Sequence, residues 1–412
     1  MQPLSIVLRR RAATVSMALL ALPVALTLPA MPASAGADDA DHGVGGAHSA
    51  AAWGRNLEGQ LGDATTTSRL TAVTVAGTDT VRAVSAGEQF GLALLADGSV
   101  RSWGHNSHGE LGDGTKVEHL TAGNVAGLAG VKTIAAGGQF GLALLADGSV
   151  RSWGSNSHGQ LGDGTTTERL TPVTVTGLAG LKVKAIAAGF DFSLAVLADG
   201  SVRSWGNNDS GQLGDGTTTE RLTPVTVTGL TGRKVKSVAA GIDFSAAVLG
   251  DGSVKSWGGN GLGQLGNGTT AGPQLTPGDV IGLTGVRVKH VAAGGLFSLA
   301  LLTDGRLKGW GTNASGQLGT GAESGFEPTP VDAVSPTGVT AIDCATSSGS
   351  ALVTLGHCVA VSGHVIKAWG ENSEGQLGDG TTTDRLTPVI VRTGIAGPRS
   401  VAAGGTNFSL AS

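Results

Sequence analysis

Tyrosine is absent from this chain of 412 residues, cysteine occurs twice, and only 14% of positions carry a charge. Seven tryptophans and eight phenylalanines are the whole aromatic complement. Once a core has taken its share, few rings remain for the exposed anchors that tight protein interfaces use. Beyond the first 35 residues no apolar run approaches the length that a membrane-spanning helix needs, about 18 residues. Dense clusters of Lys or Arg are missing as well. Setting aside Arg9, Arg10 and Arg11 leaves 24 basic side chains against 31 acidic ones, a formal net of −7. Such a balance argues against nucleic acid as a partner, because phosphate binding requires a basic face that displaces counterions.

The one strongly apolar stretch lies at the front. Arg9 to Arg11 precede MALLALPVALTLPA and then Ala33-Ser34-Ala35, the order of a basic region, a short apolar region and a small-residue cleavage site. We read residues 1–35 as a signal peptide, residues 36–46 as a flexible segment, and the protein as secreted.

Glycine is abundant where charge is scarce, at 70 residues, which excludes an ordinary helical domain because each glycine inside a helix costs about 1 kcal/mol. Tryptophans stand at 53, 103, 153, 205, 257, 310 and 369, each followed by glycine, at intervals of 50, 50, 52, 52, 53 and 59 residues. Asn follows each Trp by three positions, Gly by six, Gln by seven, Leu by eight and Gly by nine; Glu110 alone departs from Gln. A unit cut from Arg169 contains four short β segments, PVTV, VKAIAA, FSLAVLA and SVRSWG, the last two joined by Asp199-Gly200. Asp-Gly supplies the positive φ angles of a tight hairpin, and Asp97-Gly98, Asp147-Gly148, Asp251-Gly252 and Asp304-Gly305 repeat it.

Small sheets of this kind are stable only when stacked on neighbours. The chain ends on FSLAS and the expected mature part opens on AHSAAAWG, which together make up one unit. The expected fold is therefore all-β: a seven-bladed β-propeller of four-stranded antiparallel blades over residues 47–412. Three segments of the tail are expected to pair with one strand from the front to close the ring.

SWGSNSHGQLGDGTTTERLTPVTV with IAAGFDFSLAVLADGSV resembles the repeat of the regulator of chromosome condensation family, over roughly residues 47 to 412. The resemblance implies the seven-bladed propeller but does not select a function, because this fold hosts unrelated tasks. Nuclear members act as guanine nucleotide exchange factors on chromatin, a role that export and acidic charge disfavour here. Plant ultraviolet receptors of this fold cluster tryptophans in Gly-Trp-Arg-His-Thr runs, whereas each Trp here stands alone. A secreted bacterial member inhibits β-lactamases and shares the export signal and split closing blade, although its blades look shorter and its loops more aromatic. Outside the repeat positions only Phe190 and Phe326 remain as aromatics, which favours weak, polar or multivalent binding.

SWGHNSHGELGDGT, residues 102–115, has the look of a metal loop. Its counterparts in other units show that the glycines, Asn106 and Asp113 recur as scaffold, and that His105, His108 and, one unit on, His158 are what varies. Zinc held by these three histidines is the sharper reading and solvent-facing histidines the plainer one, so no metal is expected. Calcium-loop and phosphate-loop spacings are missing. Ser, Thr and Asp occur at repeated positions, so no single catalytic constellation stands out and neither catalytic residues nor a cofactor is expected. Glu323 and Glu327 lie in GAESGFEPTP, read as a structural loop. Basic residues two places before Trp (Arg101, Arg151, Arg203, Lys255, Lys308 and Lys367) are expected to cover the rings with their stems, an anion-binding ring being the alternative.

Cys344 and Cys358 fall in the longest unit, where Ser348 takes the place of the recurrent Phe, and are expected to form a disulfide in an exported chain. The expected function is non-enzymatic recognition of an extracellular protein or cell-envelope component by a monomer. The expected contact residues are Arg55, Glu58, His105, His108, His158, Asn207, Asp209, Glu371 and Glu374. An inhibitor or regulator of a secreted enzyme such as a β-lactamase is the alternative.

Overall fold

The structure, a computed structural model, describes residues 49–283, 285–334, 336, 338–346, 355–395 and 397–412. The expected signal peptide, the segment 36–46 and Ser348 lie outside the described residues. Seven four-stranded antiparallel sheets make seven blades. The fourth shows the pattern: Val183–Ala188 innermost, then Phe192–Leu197, Val202–Gly206 and Arg221–Thr226 outermost. Asp199-Gly200 turns the second strand into the third. Gly200 has a φ of +87°, and Asp199 accepts hydrogen bonds from the amide and hydroxyl of Ser201 at 2.8 and 2.7 Å.

Inner strands follow one another around a closed circuit, each packed on the next, with Val339–Thr346 against Val401–Gly404 and Val401–Gly404 against Val81–Ala86. The two faces of the ring therefore differ. One carries the short turns from inner to second strand together with the long loops after Trp-Gly, and we call it the loop face. Asp-Gly hairpins and the connections between blades lie on the other, the hairpin face.

Closure takes a different form from the expected one. The closing blade combines Val401–Gly404 and Phe408–Ala411 from the tail with Ala51–Gly54 and Arg69–Thr74 from the front, two strands from each. Ala51 pairs with Ala411 and Gly54 with Phe408. The reason is local. After the long loop, the chain folds back on the strand it has just left, as Arg221 pairs with Gly206, so RLTPVT completes its own blade and does not begin the next. Two further expectations change. GAESGFEPTP contributes the outer strand Ser324–Asp332, paired with Leu307–Asn313, and is not a loop. In the seventh blade His357 takes the Phe position, because it pairs with Gly370 as Phe192 pairs with Gly206.

All seven tryptophans are fully buried between blades. Trp205 packs with Leu161, Val175, Leu178 and Val183, and its indole N–H donates to the carbonyl of Gln160 in the preceding blade at 2.8 Å. The same bond joins Trp103 to Gln60, Trp153 to Glu110, Trp257 to Gln212, Trp310 to Gln264 and Trp369 to Gln317. Trp53 closes the series on Gln376 at 2.8 Å. Each blade is thus tied to its neighbour by an apolar ring with a satisfied polar tip, which is how a buried indole avoids the cost of an unpaired donor.

Candidate partner-binding face

Each long loop is built around one buried asparagine. Asn156 accepts the Leu161 amide at 3.0 Å and donates to the carbonyls of Thr165 and Thr167, both at 3.0 Å. Gln160 accepts the His158 amide at 2.9 Å. Asp163 takes the Thr165 amide and hydroxyl and the Arg169 guanidinium. Burial works against its charge, but these bonds prevail and hold its carboxyl below the usual range. The repeated polar residues are therefore internal struts.

The variable residues sit on this frame at two levels. Two places after Trp, the backbone N–H donates to the turn between inner and second strand of the same blade. Arg55 reaches Asn407, His105 reaches Gln89, Asn207 reaches Asp191 and Glu371 reaches Gly356, all at 2.8–2.9 Å. This position is thereby set against the turns that crown the inner strands. Five places after Trp, the side chains lean toward the next blade. His108 Nδ1 lies 3.4 Å from Glu168 and His158 Nδ1 3.4 Å from Glu220.

The histidines do not converge. His105 bonds Glu110 of its own loop at 2.8 Å, and the other two face separate acids. Among the described residues no three side chains of His, Cys, Asp or Glu are grouped to hold a metal. Glu110 is explained by this pair. One carboxylate oxygen accepts the His108 amide at 2.8 Å, the bond glutamine makes elsewhere, while the other accepts from His105. Burial opposes protonation of His105, yet the Glu110 bond and charge outweigh it and raise its pKa.

Asn207 donates to Asp209 at 3.1 Å and accepts from Gln212 at 2.6 Å, which leaves Asp209 as the exposed member of the pair. Glu58 and Glu374 are half-buried, their amides held by Gln60 and Gln376. Glu371 is buried. It accepts from Ser373, Gln376 and Asn407, and burial, reinforced by Asp384, pushes its pKa up to about 7.

Sequence reasoning missed three relatives of Glu371 in the inner turns. Burial pushes Glu88 up to about 7 and Asp191 to about 6, and also raises Asp243. Gln160 donates to Asp191 at 3.0 Å and Gln264 to Asp243 at 3.3 Å. Their signal was variation at the two positions before the recurrent Phe, where other units carry Gly, Gln, Leu, Thr or Asn.

Three of the basic residues two places before Trp are engaged locally. Lys255 pairs with Asp279 at 2.7 Å and Lys308 with Asp332 at 2.8 Å, while Arg151 donates to Thr174. Two cavities, of about 300 and 520 Å³, lie on the hairpin face around Arg287, away from the variable loops.

The architecture and its stapled loops define a repeat propeller. Repeat models described as "Regulator of chromosome condensation (RCC1) repeat" match residues 147–196, 199–248, 251–301 and 368–412, and a second model of that repeat matches five stretches from 81–110 to 288–317. The chain belongs to the RCC1 repeat family. It is 35% identical over 208 residues to the ultraviolet-B receptor UVR8 of Arabidopsis thaliana, covering 50% of this chain and 45% of the receptor. It is also 35% identical over 211 residues to the human probable E3 ubiquitin-protein ligase HERC6, covering 50% of this chain and 20% of the ligase. The matches thus span less than half the length of these relatives. Human WBSCR16 shares the fold with a TM-score of 0.76 at 24% identity, over 88% of this chain and 98% of that one. Yeast RCC1 (Prp20), solved with Kap60, does so with a TM-score of 0.76 at 22% identity, over 88% of each chain.

Proposed function

We propose that this protein is an exported, non-enzymatic propeller that binds another protein of the extracellular space or cell envelope through its loop face. The observation that carries the reading is that these loops hold the blade-to-blade diversity of this face. Arg55, Glu58, His105, His108, His158, Asn207, Asp209, Glu371 and Glu374 occupy positions two, four and five after Trp, which change across the blades, on a scaffold whose other loop residues are held by repeated hydrogen bonds. Glu371 is buried, and a preorganised frame presents the others with little ordering cost on binding. Protein binding is in keeping with structural relatives, since Prp20 is described in complex with Kap60 and with binding properties to Gsp1p and histones. Export is supported by the leader pattern of residues 1–35 and by the Cys344–Cys358 disulfide.

The test is affinity capture from culture supernatant and envelope extract with the mature chain, set beside a variant carrying His105→Ser, His108→Ser, His158→Ser and Asp209→Ser. A partner retained by the native chain and lost by the variant at unchanged melting temperature supports the reading. Equal retention by both removes the loop face from it. Intact-mass measurement of the secreted product tests export, which predicts a start near Gly36.

A further inference from the structure

The inner strands carry a second repeated feature that the loop-face reading does not use. Their second residue is exposed while the first and the last three are buried. That residue is Arg82, Lys132, Lys184, Lys236, Lys289 and Thr340 in successive blades, and Arg399 holds the matching place before Val401. In the six blades from Val81 to Val339 this position interrupts the register, as between Val183 and Ala185 or Val235 and Ser237. A bulge re-aims the side chain it carries, and recurrent bulges are built features, not irregularities. Because inner strands surround the axis and all begin on the hairpin face, the six cations encircle one mouth of the central channel.

Contacts fix the direction of two of these side chains. Lys184 Nζ donates to the carbonyl of Val235 at 2.8 Å, and Lys289 Nζ to that of Thr340 at 3.4 Å. Each ammonium thus reaches the neighbouring inner strand, and that of Lys184 sits beside the backbone of Lys236. Among the described residues none of the six forms an ion pair. The acids closest in sequence are engaged locally: Asp97, Asp147, Asp199 and Asp251 accept from Ser99, Ser149, Ser201 and Ser253, and Asp304 from Arg306. Asp251 also feels Arg233. Lys182, Arg233, Lys234 and Arg287, exposed just upstream of the inner strands, add positive charge to the same face. This concentration stands out in a chain whose net charge is −4.

We infer that the hairpin-face mouth of the channel is a binding site for a compact phosphate oligoanion. Like charges gathered without ion-pair partners of their own raise the energy of the free fold, and a bound polyanion relieves it. Ammonium groups act as point-charge phosphate binders, and Lys184, with one donor on Val235, keeps two for a ligand. The residues that follow the cations are small or polar, Ala83, Thr133, Ala185, Ser237, His290 and Ser400, so the positions beside them give peptide side chains little apolar grip. The site is on the opposite face from the loops and stands or falls apart from the partner reading.

Calorimetry of the full chain with inorganic tripolyphosphate is the direct test. Binding is expected to weaken at least tenfold in K184Q/K236Q and to stay within about threefold in K184R/K236R. It should be unchanged in K116Q/R392Q, which removes the same charge outside the ring. Melting temperature should rise with tripolyphosphate in the native chain and respond less in K184Q/K236Q. Vesicles bearing a phosphoinositide headgroup form a second arm. Binding to vesicles alone, lost in K184Q/K236Q, assigns the same chemistry to a lipid source, whereas binding of soluble tripolyphosphate assigns it to a free anion. Failure of both forms to bind at millimolar phosphate, equal loss in K116Q/R392Q, or a hexaglutamate peptide binding as tightly as tripolyphosphate overturns the assignment.

Discussion

A methyl group on Gly162 would stand 2.7 Å from Nε1 of Trp205, and the residue's φ of +67° is one that side chains disfavour. Both constraints come from the next blade's indole, which occupies the space a Cβ would need. Gly162→Ala is therefore expected to cost about 2–4 kcal/mol, from overpacking and a left-handed backbone together. Trp205→Phe, which removes the donor to Gln160 and part of a buried ring, is expected to cost about 2–3 kcal/mol. Denaturant titration checks both. Glu371 gives a prediction of the opposite sign. Its folded-state pKa is raised from 4.5 to about 7, so the folded chain holds more protons than the unfolded one between those values. Its contribution to stability is intact below about pH 4.5 and declines until about pH 7. Glu371→Gln should then be more stable than the native chain at pH 8, by on the order of 2 kcal/mol, with the gap closing near pH 5. Comparison with the native chain at each pH is needed because His357 acts in the other direction. Burial lowers its pKa from 6.5 to about 4, so its contribution is lost as pH falls through that range.

At the scale of strands, the seventh blade shows what a departure from the repeat requires. Cys344 and Cys358 stand opposite each other on adjacent strands and are joined. The disulfide expected from the spacing of 14 residues is present, but its surroundings differ from the expected ones. His357, not Ser348, fills the ring position and bonds Ser409 of the closing blade at 2.9 Å. Residue order hid this, because the inserted segment shifts the count between strands while only pairing with Gly370 identifies the position. Replacing both cysteines by alanine is expected to cost about 3 kcal/mol from the loop released in the unfolded chain. A fall in melting temperature checks this, and unreduced mass spectrometry of the native chain should show two hydrogens fewer than the dithiol.

For the molecule as a whole, the decisive element is the blade shared by the two ends. Trp53 bonds Gln376 across 323 positions, and Arg55 bonds Asn407. Removing residues 401–412 strips the closing blade of two strands, leaves one edge of Ala51–Gly54 unpaired and exposes the surface of Val339–Thr346 that packs against Val401–Gly404. Unpaired edges template association. The truncated chain is therefore expected to lose a single cooperative unfolding transition and to elute as aggregates, as size-exclusion chromatography would show. Retention of a monomer with the native melting temperature would count against ring closure as the source of stability.

Period, hairpin chemistry and the number of blades were legible in the residues themselves, because Trp-Gly, Asp-Gly and the Asn-to-Gly phrase each answer a local requirement that recurs in every blade. Only the tertiary structure decided which sheet each outer strand joins, that His105, His108 and His158 face separate acids, and that one basic residue per inner strand in six blades lines a channel mouth. A repeat states what the blades have in common, whereas these features depend on how neighbouring blades and the two ends meet. Those meetings are set by contacts between residues from about 40 to more than 300 positions apart, such as Trp103 with Gln60 and Trp53 with Gln376.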